Sequence, residues 1–272
     1  MKIFISADIE GVAGVVTPQH GTPGNPEYER ARRLMTEEVS AAVASAFDGG
    51  ATEVLVNDSH GPQVNLLPEL LDPRAELLLG RPKPGGMFAG LDASFAGAFC
   101  TGYHSGAGRH GILSHTVSGF AFAAIRVNGV DCAEAILYGA YGGSMGVPVL
   151  LLSGDNELEI QCAKIFPGAR FVVVKHALTT RAARALSPET ARARIRAAAE
   201  HAVQGRAECK PYVIRGPYRL ELDMNSVMLA DVANLIPSAH RTATRTVAFD
   251  ADSMADVVAW VATVAVMANA QR

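Results

Sequence analysis

Two short apolar runs, KIFISADI from Lys2 and TEVLVND from Thr52, bracket the segment NPEYERARRLMTEEVSAAVASAFDGG. No other feature of the chain constrains its fold as strongly. The middle segment carries apolar and small residues at helical spacing and closes on Gly49-Gly50, a C-terminal stop, while the flanking runs have strand length and composition. Strands joined through such a helix lie parallel. The alternation continues: AGAFCTGYH (96–104), PVLLLSGD (148–155) and RFVVVKH (170–176) read as core strands, and NELEIQCAKIF and VDCAEAILYGAYGGSMG as helical, the latter as far as its glycines. SHTVSGFAFAAIRVNG reads as an extended pair turning at Asn128-Gly129. The expected fold is α/β, a three-layer sandwich around a largely parallel or mixed sheet.

From Ser187 the pattern changes to SPETARARIRAAAEHAVQG, a helix with Ser187 as N-cap, Pro188 as its first residue and Gly205 as its stop. Its arginines, Arg192, Arg194 and Arg196, sit near Glu189 and Glu200 and read as a solvated face. The tail then runs YRLELDM, SVMLADVANLI, RTATRTVAFD and DSMADVVAWVATVAVMANA, a βαβα order expected to form a smaller C-terminal α/β subdomain. The expected division is 1–186 for a metal-binding catalytic domain and 187–272 for that subdomain.

A length of 272 residues allows this much core, and 49% hydrophobic against 19% charged residues is a globular balance. A net charge of −3 offers no electrostatic case for nucleic acid or an anionic membrane surface. Lys2 precedes only a three-residue apolar run, and Val257 to Ala268 is too short to span a bilayer, so neither reads as a targeting or membrane segment. Cys100, Cys132, Cys162 and Cys209 lack CxxC spacing, which argues against a disulfide framework or thiolate zinc cage and for a cytoplasmic protein with reduced thiols.

The chemistry gathers where strands end. Asp8 and Glu10 lie two residues apart after KIFIS, so extended backbone persisting to Glu10 would put Ser6, Asp8 and Glu10 on one side of the strand. Two carboxylates sharing one side repel each other unless a cation or a proton intervenes. His60 follows VLVNDS and His104 follows AFCTGY; in open α/β sheets residues at the carboxyl ends of parallel strands converge. Two carboxylates and two imidazoles make a ligand set suited to Zn²⁺, Mn²⁺ or another first-row divalent ion. Each residue also has a plain structural reading: Asp8 and Glu10 as turn residues, His60 within a self-sufficient NDSHG turn, His104 as a satisfied strand-end histidine. Glu134 is a fifth candidate, although Asp131-x-x-Glu134 also has the form of a capping box. His115, in ILSHTVSG, is placed for acid/base or electrophilic work near the same rim, with His110 as its competitor.

SADIEGVAGV, VNDSHG, GYHSGAGRHGILSHTVSG and IRVNGVDCAEAILYGAYGGSMGVPVLLLSGD, in this order, resemble the D-aminopeptidase (DppA-type) family of dinuclear zinc metallopeptidases. The resemblance is dense over about the first 155 residues. It implies a site with two Zn²⁺ ions in which Asp8 bridges the metals, Glu10 and His104 serve one ion, and His60 and Glu134 serve the other. It also implies that His115 is catalytic, that short peptides with an N-terminal D-amino acid such as D-Ala are substrates, and that the chain forms a homodecamer of two pentameric rings. The alternatives from the residues alone are a dinuclear amidohydrolase acting on another amide, or a non-catalytic peptide-binding or transport accessory protein.

Overall fold

A computed structural model describes residues 1–272. In chain order its elements are β1 (Lys2–Ala7), α1 (Pro26–Asp48), β2 (Glu53–Asp58), β3 (Glu76–Leu78), β4 (Phe95–Tyr103), β5 (Phe122–Val127), β6 (Val130–Asp131), α2 (Glu134–Ser144), β7 (Val149–Asp155), α3 (Asn156–Cys162), β8 (Arg170–Thr179) and β9 (Ala182–Ala185). There follow α4 (Pro188–Gln204), β10 (Tyr218–Met224), α5 (Val227–Ala233), β11 (His240–Arg241), β12 (Thr246–Ala251) and α6 (Met254–Asn269). No helix is long and apolar enough to cross a membrane.

The main sheet has seven strands in the order β3-β2-β1-β4-β7-β8-β9. All neighbours are parallel except β9, which returns antiparallel against β8. Side-chain alternation along β1 supplies both faces: Ile3 and Ile5 enter a core with α1 and α4, while Phe4 enters a second core with α2, α3 and α6. Each such fully buried side chain contributes roughly 1.5–3 kcal/mol of transfer free energy. The α/β sandwich expected from the alternation is the architecture found.

A second sheet of five antiparallel strands, β11-β12-β10-β5-β6, packs beyond that second core. Asn128-Gly129 makes its β5–β6 turn, both residues with positive φ (50° and 78°), as a type I′ hairpin requires. Set against the units 1–186 and 187–272, this sheet takes β5 and β6 from the first and β10 to β12 from the second. Helix α4 in turn shares the α1 core through Ala191, Ile195 and Ala199.

What the fold does for function follows from its winding. The chain steps from β1 outward to β2 and β3, then returns to lay β4, β7 and β8 on the other side of β1. The order therefore reverses between β1 and β4, and such a switch point opens a crevice outside the strand carboxyl ends. The turn after β1 sits directly on the end of β4. Gly11 N–H donates to Gly102 O (2.7 Å), and a Cβ on Gly11 would lie 2.0 Å from Tyr103 O. Gly102 has φ +70°, and its Cβ would lie 2.1 Å from Asp8 O, so neither position admits a side chain.

The same turn is held from below by Glu38 on α1, whose Oε1 accepts from Ala13 N–H (2.9 Å) while Oε2 has no hydrogen-bond partner. Burial pushes the Glu38 carboxyl up to about 7 from an ordinary 4.5. Because the folded state then binds the proton more tightly than the unfolded one, this group's contribution is present below pH 4.5 and is lost as pH rises through 7. The loss is on the order of 2–3 kcal/mol. Glu38→Gln is expected to flatten the fall in stability between pH 5 and pH 8, read by urea melts at both; an unchanged fall would assign the dependence to another group.

Candidate metal centre

Asp8 and Glu10 come from the turn after β1, His60 from the turn after β2, His104 from the end of β4, and Glu134 from the first turn of α2. Extended geometry does not persist to Glu10, since the strand ends at Ala7. Val12 N–H closes a turn on Ile9 O (3.1 Å), and this turn, rather than strand alternation, returns the Glu10 carboxylate to Asp8. All five side chains converge. His60 Nδ1 lies 3.3 Å from Asp8 Oδ1 and 3.0 Å from Glu10 Oε2. His104 Nε2 lies 3.5 Å from Asp8 Oδ2 and 3.2 Å from Glu134 Oε2. Asp8 thus turns one oxygen to each imidazole and occupies the middle of the set.

The capping reading of Glu134 does not hold. Helix α2 has Ala133 at its N-cap with no side-chain cap, and Asp131 is drawn away to Arg109 Nη2 (2.8 Å). Glu134 Oε1 instead accepts from Val117 N–H (2.7 Å), which leaves Oε2 facing His104. The carboxylate is buried because its partners lie in the cluster, not at its own helix end.

Each histidine is oriented by a backbone carbonyl. Since a carbonyl only accepts, His60 Nε2–H donates to Gly21 O (2.8 Å), His104 Nδ1–H to Ser105 O (2.9 Å) and His115 Nδ1–H to Leu113 O (2.8 Å). The other ring nitrogen of His60 and of His104 is thereby aimed at the carboxylates, the arrangement that fixes tautomer and direction in metal-ligating histidines. A Cβ on Gly21 would lie 3.1 Å from His60 Nε2, close enough that the ring would have to give by a few tenths of an ångström. The His60 turn is tied by Asn65, which donates to Asp58 Oδ1 (2.7 Å) and His60 O (2.6 Å).

The electrostatics answer the repulsion noted in the sequence. Burial would lower the His60 pKa, but Glu10 and Asp8 hold it well above the usual imidazole value; for His104 the same opposition is won by Glu134 and Asp8. Burial likewise works to raise the Asp8 carboxyl, yet the His104 and His60 imidazoles beside it hold it well below the usual range. The cluster therefore demands positive charge at its centre. Glu10 Oε2, His104 Nε2 and Glu134 Oε2 are buried without any hydrogen-bond partner, although each is a potential ligand atom. Unpartnered buried oxygen and nitrogen atoms converging on a shared carboxylate fit a divalent cation site. Asp8, Glu10 and His104 each place a ligand atom within 4.8 Å of the others, as do His104, His115 and Glu134.

His115 stacks on His104 with ring centroids 4.3 Å apart, and its Nε2 lies 3.8 Å from Glu134 Oε1. Its side chain is 23% exposed against 1% for His104, so it covers the mouth of the cluster. Leu113 and Val117 flank it with positive φ (52° and 62°), a costly conformation, above all for a β-branched residue. His110 is half exposed with its ring 3.4 Å from Glu157, away from these carboxylates.

The peptidase M55 family model, described as D-aminopeptidase, matches residues 1–263. The chain belongs to the D-aminopeptidase family. A D-aminopeptidase of Bacillus subtilis (strain 168) is 35% identical over 255 residues, covering 93% of each chain. The fold matches that of the Zn-dependent D-aminopeptidase DppA from Bacillus subtilis, a self-compartmentalizing protease, with a TM-score of 0.96 and 33% identity. That match covers 99% of this chain and 98% of the other. Family membership agrees with the resemblance carried by the four sequence motifs.

Sequence reasoning had no signal for the residues that brace this centre: Glu38, Asn65, Gly21 and the buried Lys175. None has a motif: Glu38, Gly21 and Lys175 act through partners 25 or more residues away, and Asn65 through a loop whose closure is irregular.

Proposed function

We propose that the chain is a zinc-dependent aminopeptidase hydrolysing short peptides with an N-terminal D-amino acid such as D-Ala. Family membership across residues 1–263 supports the activity, and the convergence of unpartnered buried ligand atoms around Asp8 carries the assignment of the site. In this reading Asp8, Glu10, His60, His104 and Glu134 would together hold two zinc ions, with Asp8 at the middle of the set. The shortest separations group His60 with Glu10 and His104 with Glu134 on either side of Asp8, a different division from the Glu10–His104 and His60–Glu134 pairing that the resemblance implies.

Zinc bound there supplies Lewis acidity toward the scissile carbonyl and a nucleophilic water near neutral pH. The chain's own contribution at the reacting bond is His115. With Nδ1–H committed to Leu113 O, Nε2 is free to take a proton and return it to the leaving amine. Val117 and Leu113 hold the loop that presents it, and the His104 ring fixes its plane. His60, His104 and Glu134 keep their geometry through backbone donors and acceptors, so little reorganisation accompanies the reaction.

We also propose that copies assemble into a decamer of two pentameric rings, on the strength of a relative described as self-compartmentalizing, and that the protein works in the cytoplasm with its four cysteines reduced. A native mass near ten times the 28.6 kDa chain supports that assembly; a monomer or dimer overturns it.

The function is tested by assaying matched D- and L-alanyl peptides on purified protein whose zinc is quantified in the same sample. Preferential cleavage of the D-series by zinc-loaded protein is expected. Equal or greater L-cleavage overturns the stereochemical assignment, and peptide binding without turnover overturns the enzymatic one.

Glu134→Gln separates ligand from structural group. Glutamine keeps an amide oxygen for Val117 N–H but is a poor substitute for an anionic ligand. Zinc affinity is expected to fall about 10-fold or more while the melting temperature of the zinc-free protein stays within about 2 °C. Wild-type zinc affinity would remove Glu134 from the ligand set.

A further inference from the structure

Lys175 on β8 is 1% exposed, and no carboxylate oxygen lies within salt-bridge distance of its ammonium. All three of its N–H bonds go instead to backbone carbonyls of one short segment: Glu10 O (2.5 Å), Val12 O (3.0 Å) and Val15 O (2.6 Å). Burying an ammonium away from a counter-ion is costly, so the position demands a compensating role. The segment it grips is the turn that carries Glu10 into the cluster.

We propose that Lys175 is a positioning residue for the metal centre, fixing the Glu10–Val15 turn so that the Glu10 carboxylate is delivered to its ion. The proposal rests on the reading of Glu10 as a zinc ligand. Three features single out lysine. Only an ammonium offers three donors from one atom, and three converging carbonyls need that number. The turn has lost the strand ladder beyond Ala7, so its carbonyls have no sheet partner to satisfy them. The other attachments of the turn to the rest of the fold, Gly11 N–H to Gly102 O and Ala13 N–H to Glu38 Oε1, use its amides; Val12 O also accepts from Val15 N–H (3.1 Å) within the turn, and Lys175 is the group that ties the carbonyls of Glu10, Val12 and Val15 to the sheet. The clamp thus links β8 to a ligand 165 residues earlier. Groups of this kind behind a ligand typically alter metal affinity 10- to 100-fold, roughly as much as they alter activity.

The test is a zinc titration against a chelating indicator on zinc-free protein, for wild type, Lys175→Met, Glu10→Gln and the double variant, each checked for folding by circular dichroism. Lys175→Met is expected to weaken one of the two zinc sites about 10- to 100-fold. The double variant is expected to bind no more weakly than Glu10→Gln alone, because the clamp acts through that carboxylate. Lys175→Gln, which keeps two donors, should fall between wild type and Lys175→Met and serves if the methionine variant does not fold. Amide exchange on the zinc-free proteins gives a second reading: Gly11 and Ala13 should be protected in wild type and exchange faster in Lys175→Met.

Wild-type affinity in Glu10→Gln would remove the ligand reading and the proposal with it. Weakened binding in Glu10→Gln but not in the Lys175 variants would overturn the proposal alone. Additive losses in the double variant, or equal protection of the Gly11 and Ala13 amides in wild type and Lys175→Met, would overturn it as well.

Discussion

Asp8→Ala is expected to release zinc and take hydrolysis to the assay background. Asp8 is the one carboxylate that reaches both halves of the cluster, with Oδ1 3.3 Å from His60 and Oδ2 3.5 Å from His104. On the proposed two-zinc reading, removing it would vacate a position at each ion and leave Glu10 and Glu134 facing imidazoles that no longer share a central anion. Zinc should fall from about two ions per chain to fewer than about one. The fold should survive, since Asp8 N–H keeps its bond to Thr101 O (2.9 Å) and β1 keeps its ladders to β2 and β4. A melt should therefore match zinc-free wild type and fall below zinc-loaded wild type, because a ligand that binds only the folded state stabilises it. Full zinc content and turnover in Asp8→Ala would sink the assignment of the centre.

His115→Ala is expected to do the opposite to metal and nearly the same to rate. The His115 ring lies over the cluster rather than within it, partly exposed and 3.8 Å from Glu134 Oε1, so its loss should leave both ions bound and the melt unchanged within about 2 °C. Turnover should fall on the order of 10²-fold or more, the usual cost of losing a proton-transfer group. KM should move much less than kcat, since the group acts in the transition state. Zinc analysis, a thermal melt and steady-state kinetics belong on one preparation. Because His115 Nε2 also lies within ligand range of His104 and Glu134, zinc lost in parallel with activity would make His115 a ligand. Unchanged turnover would pass the role to His110, whose ring faces Glu157 instead.

The residues behind these two substitutions are legible in the sequence to different degrees. Asp8, Glu10, His60 and His104 stand at the ends of runs whose strand character is plain, and parallel strands bring such ends together whatever lies between them. Glu134 is ambiguous there, because a capping box and a ligand use the same residue type at the same spacing; Asp131 pairing with Arg109 removes the capping box. The backbone carbonyls of Gly21, Ser105 and Leu113 that aim the three imidazoles have no sequence signature, since any residue supplies a carbonyl.

Local periodicity by itself determined the parallel α/β layering, the Asn128-Gly129 hairpin and the strand-end placement of the candidate ligands. Those properties depend on neighbours within a few residues, where backbone geometry forces the spacing of apolar side chains. Tertiary structure alone decided that Glu10 returns through a turn rather than along a strand, that β5 and β6 join β10 to β12 in one sheet, and that Lys175 and Glu38 grip the turn after β1. In the last case the contacts span 165 and 25 residues, and their partners are main-chain atoms common to every residue. Such a contact leaves no mark on the sequence except a charged residue in an apolar strand, whose meaning emerges only when the chain has closed around it.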